Sequence, residues 1–201
     1  MMYYNHKTVI PHYFFSKVTN MSETKKYQNA NYCMYRANKD KNGAASKFNL
    51  SKKPDDNKCQ LFLEMAKQTG ENENKDAVFG WRQYDSTSKT FNNLDKSVSM
   101  KLGTADIGEL LAVISGRKDF AGTGKGLYHE NQRGHTTLEF RLYQKDKDSP
   151  ALGFILSTNS VNKETKDSVK VSHVVSFADG EVLRVFLNNA LMEINKWNFT
   201  E

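Results

Sequence analysis

The chain has 201 residues, enough for one domain of ordinary size or for two small halves sharing a core. Only 38% of residues are hydrophobic, and no apolar run approaches the roughly 20 residues of a membrane span, so no transmembrane helix is expected. Lys and Arg outnumber Asp and Glu by 29 to 23, a net charge of +6 that favours a polyanionic partner, and the two cysteines exclude a disulfide framework or a four-cysteine zinc site.

Met1 to Asn20 contain no acidic residue, lack an uninterrupted apolar core and show no small-residue cleavage site, which makes a poor secretory signal. They also lack Arg, which argues against organelle targeting. Met21 opens Met-Ser-Glu-Thr-Lys-Lys like a natural start, so residues 1–26 read as a flexible extension before one domain over 27–201. From Asn31 the pattern becomes strand-like. Cys59, Leu61, Leu63 and Met65 alternate with Gln60, Phe62 and Glu64, the period of a strand with one core face. Further strands are predicted at Asn31–Ala37, Ala44–Ser51, Val78–Tyr84 and Ser97–Leu102. The polar stretches Lys52–Lys58, Gln68–Ala77 and Asp85–Lys96 read as turns or loops. Cys33 and Cys59 both fall in these apolar runs, which predicts buried free thiols and an intracellular, reducing setting.

A helix is predicted over Ala105–Ser115, with Thr104 as its N-cap, Asp106 at its positive end and Gly116 as a left-handed terminator. Ile107, Leu110, Leu111 and Ile114 make its buried face. The plan then repeats. Strands are predicted at Gly126–Glu130, Thr136–Tyr143, Ala151–Thr158 and Ser168–Val175, with Leu138, Phe140 and Leu142 facing in and Thr137, Glu139, Arg141 and Tyr143 facing out. Ser176-Phe-Ala-Asp179 has the form of a capping box, opening a long helix striped by Leu183, Phe186, Leu187, Ala190, Leu191 and Ile194 and ending near Trp197. Two strands-then-helix halves, about 27–116 and 124–197, flank a Gly-rich connector; consecutive strands without intervening helices imply antiparallel sheets and an α+β class.

Three enzymatic readings fail. Gly122-Thr-Gly-Lys125-Gly126 resembles a phosphate loop, but counting from Gly116 puts Ala at 121, Gly follows the Lys, and a strand comes next instead of a helix. Pro54-Asp55 with Glu64 and Lys67 resembles a nuclease motif, yet residues an odd number apart on a strand point to opposite faces. His129, His135 and His173 have no partner at metal-ligand spacing, and His173, on an apolar strand, is expected to be a hydrogen-bonded interior residue. No catalysis, metal or cofactor is expected.

Cations near aromatic rings are what a single nucleic-acid strand needs, with phosphates on the charges and bases on the ring faces. Lys41 and Lys47 precede Phe48; Trp81-Arg82-Gln83-Tyr84 interleaves rings and polar groups; Lys101 lies on an outer strand position; Tyr128 and the pair Arg141 and Tyr143 follow in the second half. Any single pair also fits an ordinary solvated strand face.

Several segments together resemble the Whirly family. Arg82-Gln83-Tyr84-Asp85, followed by a strand and Thr104-Ala-Asp-Ile-Gly-Glu-Leu-Leu, is similar to the family's Arg-Gln-Tyr-Asp-like strand and its helix beginning Thr-Glu-Ile-Gly. Lys47-Phe48-Asn49-Leu50-Ser51-Lys52, Leu127-Tyr128-His129-Glu130, Gly153-Phe154-Ile155-Leu156-Ser157 and Lys196-Trp197 resemble further Whirly segments, in the same order, over about residues 31–197. The resemblance implies two four-stranded antiparallel sheets with two helices, a strands-then-helix unit used twice, assembled as a homotetramer. It also implies binding of single-stranded DNA along the sheet edges with little sequence preference. Two segments answer to the family's Lys-Gly-Lys-Ala-Ala-Leu contact stretch: Lys41-Asn42-Gly43-Ala44-Ala45-Ser46, and Tyr35-Arg36-Ala37-Asn38-Lys39. More distant members of the superfamily, including the transcriptional positive-cofactor family and kinetoplastid guide-RNA-binding proteins, bind DNA or RNA. The expected function is therefore single-stranded DNA binding in replication, recombination, repair or transcription. The alternatives are an RNA binder or RNA chaperone of the same fold, and a protein-interaction module that binds no nucleic acid.

Overall fold

A computed structural model describes residues 28–52, 58–146 and 148–197. The extension over 1–26, the Pro54-Asp55 pair and most of the Lys52–Lys58 turn lie outside the described residues. The chain order is β1 (Gln28–Arg36), β2 (Ala44–Lys52), β3 (Cys59–Glu71), β4 (Ala77–Phe79), β5 (Gln83–Asp85), β6 (Thr90–Asn92), β7 (Ser97–Leu102) and α1 (Thr104–Ile114). Then come β8 (Leu127–Asn131), β9 (Gly134–Gln144), β10 (Ala151–Asn162), β11 (Ser168–Val175) and α2 (Phe177–Asn195).

All strand pairs are antiparallel. The second half follows its expected plan of four strands and a helix, in the sheet order β11-β10-β9-β8. The first half is richer. β1, β2 and β3 run in order, β7 pairs with the first part of β3, and β4 pairs with its last residues. Lys67 is where the edge changes hands: its N–H donates to Lys96 O and its C=O accepts from Gly80 N, each at 2.9 Å. Between β4 and β7 the chain makes a separate β5–β6 hairpin. The single strand expected at Val78–Tyr84 is thus two short ones, and the Asp85–Lys96 loop contains β6. The break has a local cause: the Arg82 N–H bonds the Glu64 carboxylate at 2.7 Å instead of a ladder carbonyl.

The alternating residues behave as the strand period requires. Leu61, Leu63, Met65, Leu138 and Phe140 are fully buried, and the two inner faces meet in one core. Thr158 Oγ1 reaches Met65 Sδ at 3.4 Å across that interface, and His173 Nε2 lies 2.9 Å from Ser46 Oγ. His173 is therefore the hydrogen-bonded interior residue the sequence predicts, and burial lowers its pKa. Because the inner faces meet, the outer faces of the two sheets point away from one another.

Both helices cover this core. In α1, Ile107, Leu110, Val113 and Ile114 are buried, so the buried face turns slightly toward Val113 from the expected one. Its N-cap is Gly103, not Thr104; the first-turn carboxylate of Asp106 accepts the Gly103 N–H at 2.7 Å. Gly116 follows the helix at φ 68°, the left-handed conformation that glycine adopts without a Cβ clash. In α2, Ser176 Oγ accepts from Asp179 N at 3.1 Å, the cap its sequence signals. Asp179 also ion-pairs with Arg36 and accepts from Tyr32 Oη at 3.3 Å, while Arg36 Nε donates to Val174 O at 3.0 Å. Burial opposes ionisation of Asp179, but the Ser176 bond and the Arg36 charge outweigh it and lower its pKa. Among the described residues no helix is long and apolar enough to cross a membrane.

Candidate nucleic-acid interface

Strand register places the outer face of the first sheet in cross-strand rows. Asn31, Asn49, Phe62 and Lys101 form one row; Cys33, Lys47, Glu64 and Ser99 form the next. Each row crosses four strands, so cations and rings far apart in sequence share one surface. The Asn49 side-chain oxygen is buried there without a hydrogen-bond partner.

At one end of this face stands an aromatic cluster. Tyr35, from β1, packs against Phe79 at 5.6 Å and meets Trp81 edge-on at 6.4 Å between ring centres. Phe79 and Trp81 lie 6.3 Å apart. The Lys47 ammonium sits 4.9 Å from the Trp81 ring centre and 2.9 Å from the Glu64 carboxylate. Tyr35 is 54% exposed, so the cluster presents a ring to solvent. Beyond it the β5–β6 hairpin carries a second pair, Tyr84 on Phe91 at 5.2 Å, with the Arg82 guanidinium 5.7 Å from the Phe91 ring centre.

Lys39 and Lys41 occupy the exposed β1–β2 turn, and Gln68 of β3 shapes that turn. The Gln68 side-chain oxygen accepts from Asn38 N at 3.0 Å and Gly43 N at 3.2 Å. A Cβ on Gly43 would lie 2.3 Å from Arg36 O and 2.5 Å from that same Gln68 oxygen, so glycine is required there. Of the two candidate contact segments, the one ending at Lys39 contains Arg36, whose guanidinium is committed to Asp179 and Val174.

The expected contact residues thus divide. Lys47, Trp81 and Lys101 share the outer face of the first sheet; Lys39 and Lys41 project from its turn, and Arg82 and Tyr84 belong to the adjoining hairpin region. Tyr128, Arg141 and Tyr143 lie on the second sheet, whose outer face points elsewhere. There Tyr128 stacks on His135 at 5.4 Å, and Arg141 bonds Glu139 at 2.5 Å. Arg141, Lys125 and Lys170 also line a shallow groove of about 420 Å³. Phe48 is a correction. It is fully buried in the core and has no ring face to offer a base. Its neighbour Lys47 points outward because the strand alternates.

The sequence did not single out Phe79 and Phe62 as members of the surface, and it offered Tyr35 only within the second candidate contact segment. The signal existed for Phe62, a large ring on the polar face of an otherwise regular strand. The Gly122–Gly126 segment leads into β8, as the sequence indicates, and so has no helix N-terminus for a phosphate. His129 lies 3.0 Å from Asp106, bridging β8 to the start of α1.

No protein-family model matches the sequence, and no curated protein matches it. Solved structures do match in fold. WHY1 from Arabidopsis thaliana aligns with TM-score 0.56 and 13% identity, covering 85% of this chain and 93% of that one. MRP1/MRP2 from Trypanosoma brucei aligns with TM-score 0.55 and 16% identity, covering 86% and 90%. The plant transcriptional regulator PBF-2 aligns with TM-score 0.52 and 17% identity, covering 85% and 84%. Over the described residues the protein is an α+β structure of two helices on antiparallel sheets. Its fold is Whirly-like, and its first half carries the β5–β6 hairpin beside the larger sheet.

Proposed function

We propose that the protein binds single-stranded nucleic acid, preferring DNA with little sequence selectivity, and performs no chemistry of its own. The observation that carries this reading is the Lys47–Trp81 cluster with Tyr35 and Phe79 on the outer face of the first sheet. A base can stack on a ring while adjacent phosphates meet cations, and such stacking is indifferent to base identity. Similarity in fold to a plant transcriptional regulator supports a role in transcription, with replication, recombination and repair as further settings for the same activity.

Self-assembly accompanies this reading. Ala178, Val182, Val185, Asn189 and Met192 recur along α2 at alternating spacings of four and three residues, all on its exposed side. Val182 and Val185 are 50% and 54% exposed. That spacing is the seam of packed helices, and a polar Asn within it sets register. A homotetramer is the form the Whirly resemblance implies.

Fluorescence anisotropy with labelled single-stranded DNA, single-stranded RNA and duplex DNA across salt concentrations tests the reading. Tightest binding to single-stranded DNA with a steep salt dependence is expected. Tighter binding to RNA would instead favour the RNA-binding alternative, and no binding to any of the three at low salt would leave a protein-interaction role.

A further inference from the structure

Where the β7 edge of the first sheet meets the second sheet, a cleft of about 620 Å³ opens between the β8–β9 and β10–β11 turns, the outward-facing side of β7 and the residues that flank the β5–β6 hairpin. Its walls carry hydroxyls from β7, β9 and β10, among them Ser97, Ser99, Thr136 and Ser160. Two arginines line it, Arg82 and Arg133. The Arg82 Nε–H is buried without a hydrogen-bond acceptor. Among the described residues, no hydrogen bond or ion pair reaches the Arg133 guanidinium; only its backbone is bonded, to the Asn131 side chain and to Lys163 N. Asp95 and Asp167 line the same cleft without pairing to either arginine.

This arrangement leaves a buried charged donor without an acceptor. A buried guanidinium N–H left unbonded carries a desolvation cost, larger for a charged group than for a neutral one. Burial lowers the Arg82 pKa; Glu64 opposes that, and the Arg133 charge adds to it, so the two cations are near enough to repel. The planar guanidinium fork matches a phosphate better than any other common anionic partner except a carboxylate. Arg82 is also continuous with the aromatic cluster, since its backbone N–H bonds the carboxylate that holds Lys47.

We propose that the cleft holds a phosphate of the bound strand between Arg82 and Arg133, so that the strand leaves the outer face of the first sheet and enters the gap between the sheets. The proposal rests on the nucleic-acid reading and extends its contact surface to a place where no stacking ring is required. Ser97 and Thr136 already donate their hydroxyl protons, to Asn93 O and Ser160 Oγ, so Ser99 and Ser160 are the hydroxyls that supply donors to the remaining phosphate oxygens.

The test compares wild type, Arg133→Gln, Arg133→Lys and the outer-face variant Lys101→Ala, as full chains, against a labelled deoxythymidine oligonucleotide over a salt series. Arg133→Gln is expected to weaken binding roughly tenfold, the effect of losing one charge-assisted bond, and to reduce the salt slope by about 0.7, one phosphate's share on a single strand. Arg133→Lys is expected to recover the slope but only part of the affinity. A melting curve superimposable on wild type confirms that Arg133→Gln folds. Unchanged affinity and slope in Arg133→Gln, beside weakened binding by Lys101→Ala, overturns the cleft proposal alone. Absence of oligonucleotide binding by the wild type overturns the functional reading and this proposal with it.

Discussion

Lys47 is clasped between Glu64, 2.9 Å from its ammonium, and the face of Trp81, 4.9 Å from the ring centre. The cation most central to the outer face is therefore already neutralised by a carboxylate, which also positions Arg82 through its backbone N–H. Glu64 orders the cluster and at the same time reduces its attraction for phosphate.

Glu64→Gln separates those two effects, because the amide keeps an acceptor for Arg82 and loses the charge. Affinity for single-stranded DNA is expected to rise about threefold at low ionic strength, the advantage shrinking as salt screens it. Anisotropy titrations at two salt concentrations read this directly. A fall in affinity would mean that the carboxylate's ordering role outweighs its charge.

Phe48 and Trp81 predict opposite phenotypes. Phe48→Ala opens a cavity in the shared core and is expected to cost about 3–5 kcal/mol of stability, read by chemical denaturation. Trp81→Ala is expected to cost about 1–3 kcal/mol in binding, the contribution of one stacked base, with a smaller effect on the unfolding midpoint. Equal binding by Trp81→Ala and wild type would remove this ring from the interface.

His173 gives the protein a pH-dependent seam. Burial keeps the folded-state pKa below the unfolded value of about 6.5. The unfolded chain therefore takes up the proton first as pH falls. The contribution of neutral His173 is complete above about pH 6.5 and is lost progressively as pH drops toward the folded pKa. Melting temperature measured from pH 7.5 to 5 should decline, and His173→Gln, which has no titrating group, should flatten that decline. Parallel curves for the two proteins would place the acid sensitivity elsewhere.

The α2 stripe predicts assembly. Val182→Glu combined with Val185→Glu puts charge into the exposed seam and is expected to give monomers in size-exclusion chromatography with light scattering, while helicity by circular dichroism is retained. Single-strand affinity should fall as neighbouring copies no longer contribute sites. An unaltered mass would show that this stripe does not join copies of the chain.

The parts of the fold legible from sequence are those where a period repeats for long enough. β3, β9 and both helices show it, because each has one face against the core. The β5–β6 hairpin was not legible: its strands are three residues long and face solvent, so neither alternation nor burial marks them. For the interface, residue type was informative but not direction. Lys47 and Phe48 are adjacent and equally suggestive in sequence, and the strand period sends one outward and one inward. The packing of Tyr35 and Phe79 with Trp81 was not legible because it depends on β1 and β4 reaching the same end of one sheet, a tertiary fact. The Arg82–Arg133 cleft likewise forms only when two sheets from different halves meet.

Asp179 caps the last helix, anchors Arg36 from the first described strand and receives the Tyr32 hydroxyl, a junction spanning 143 residues of sequence between Arg36 and Asp179. The apparent duplication of strands followed by a helix is therefore not a pair of modules that can be parted at the Gly-rich connector. During synthesis the first half emerges with Arg36 lacking its carboxylate and with its inner face waiting for the second sheet. Its folding is completed only once α2 has left the ribosome, which makes the nascent first half dependent on protection from premature association until α2 arrives.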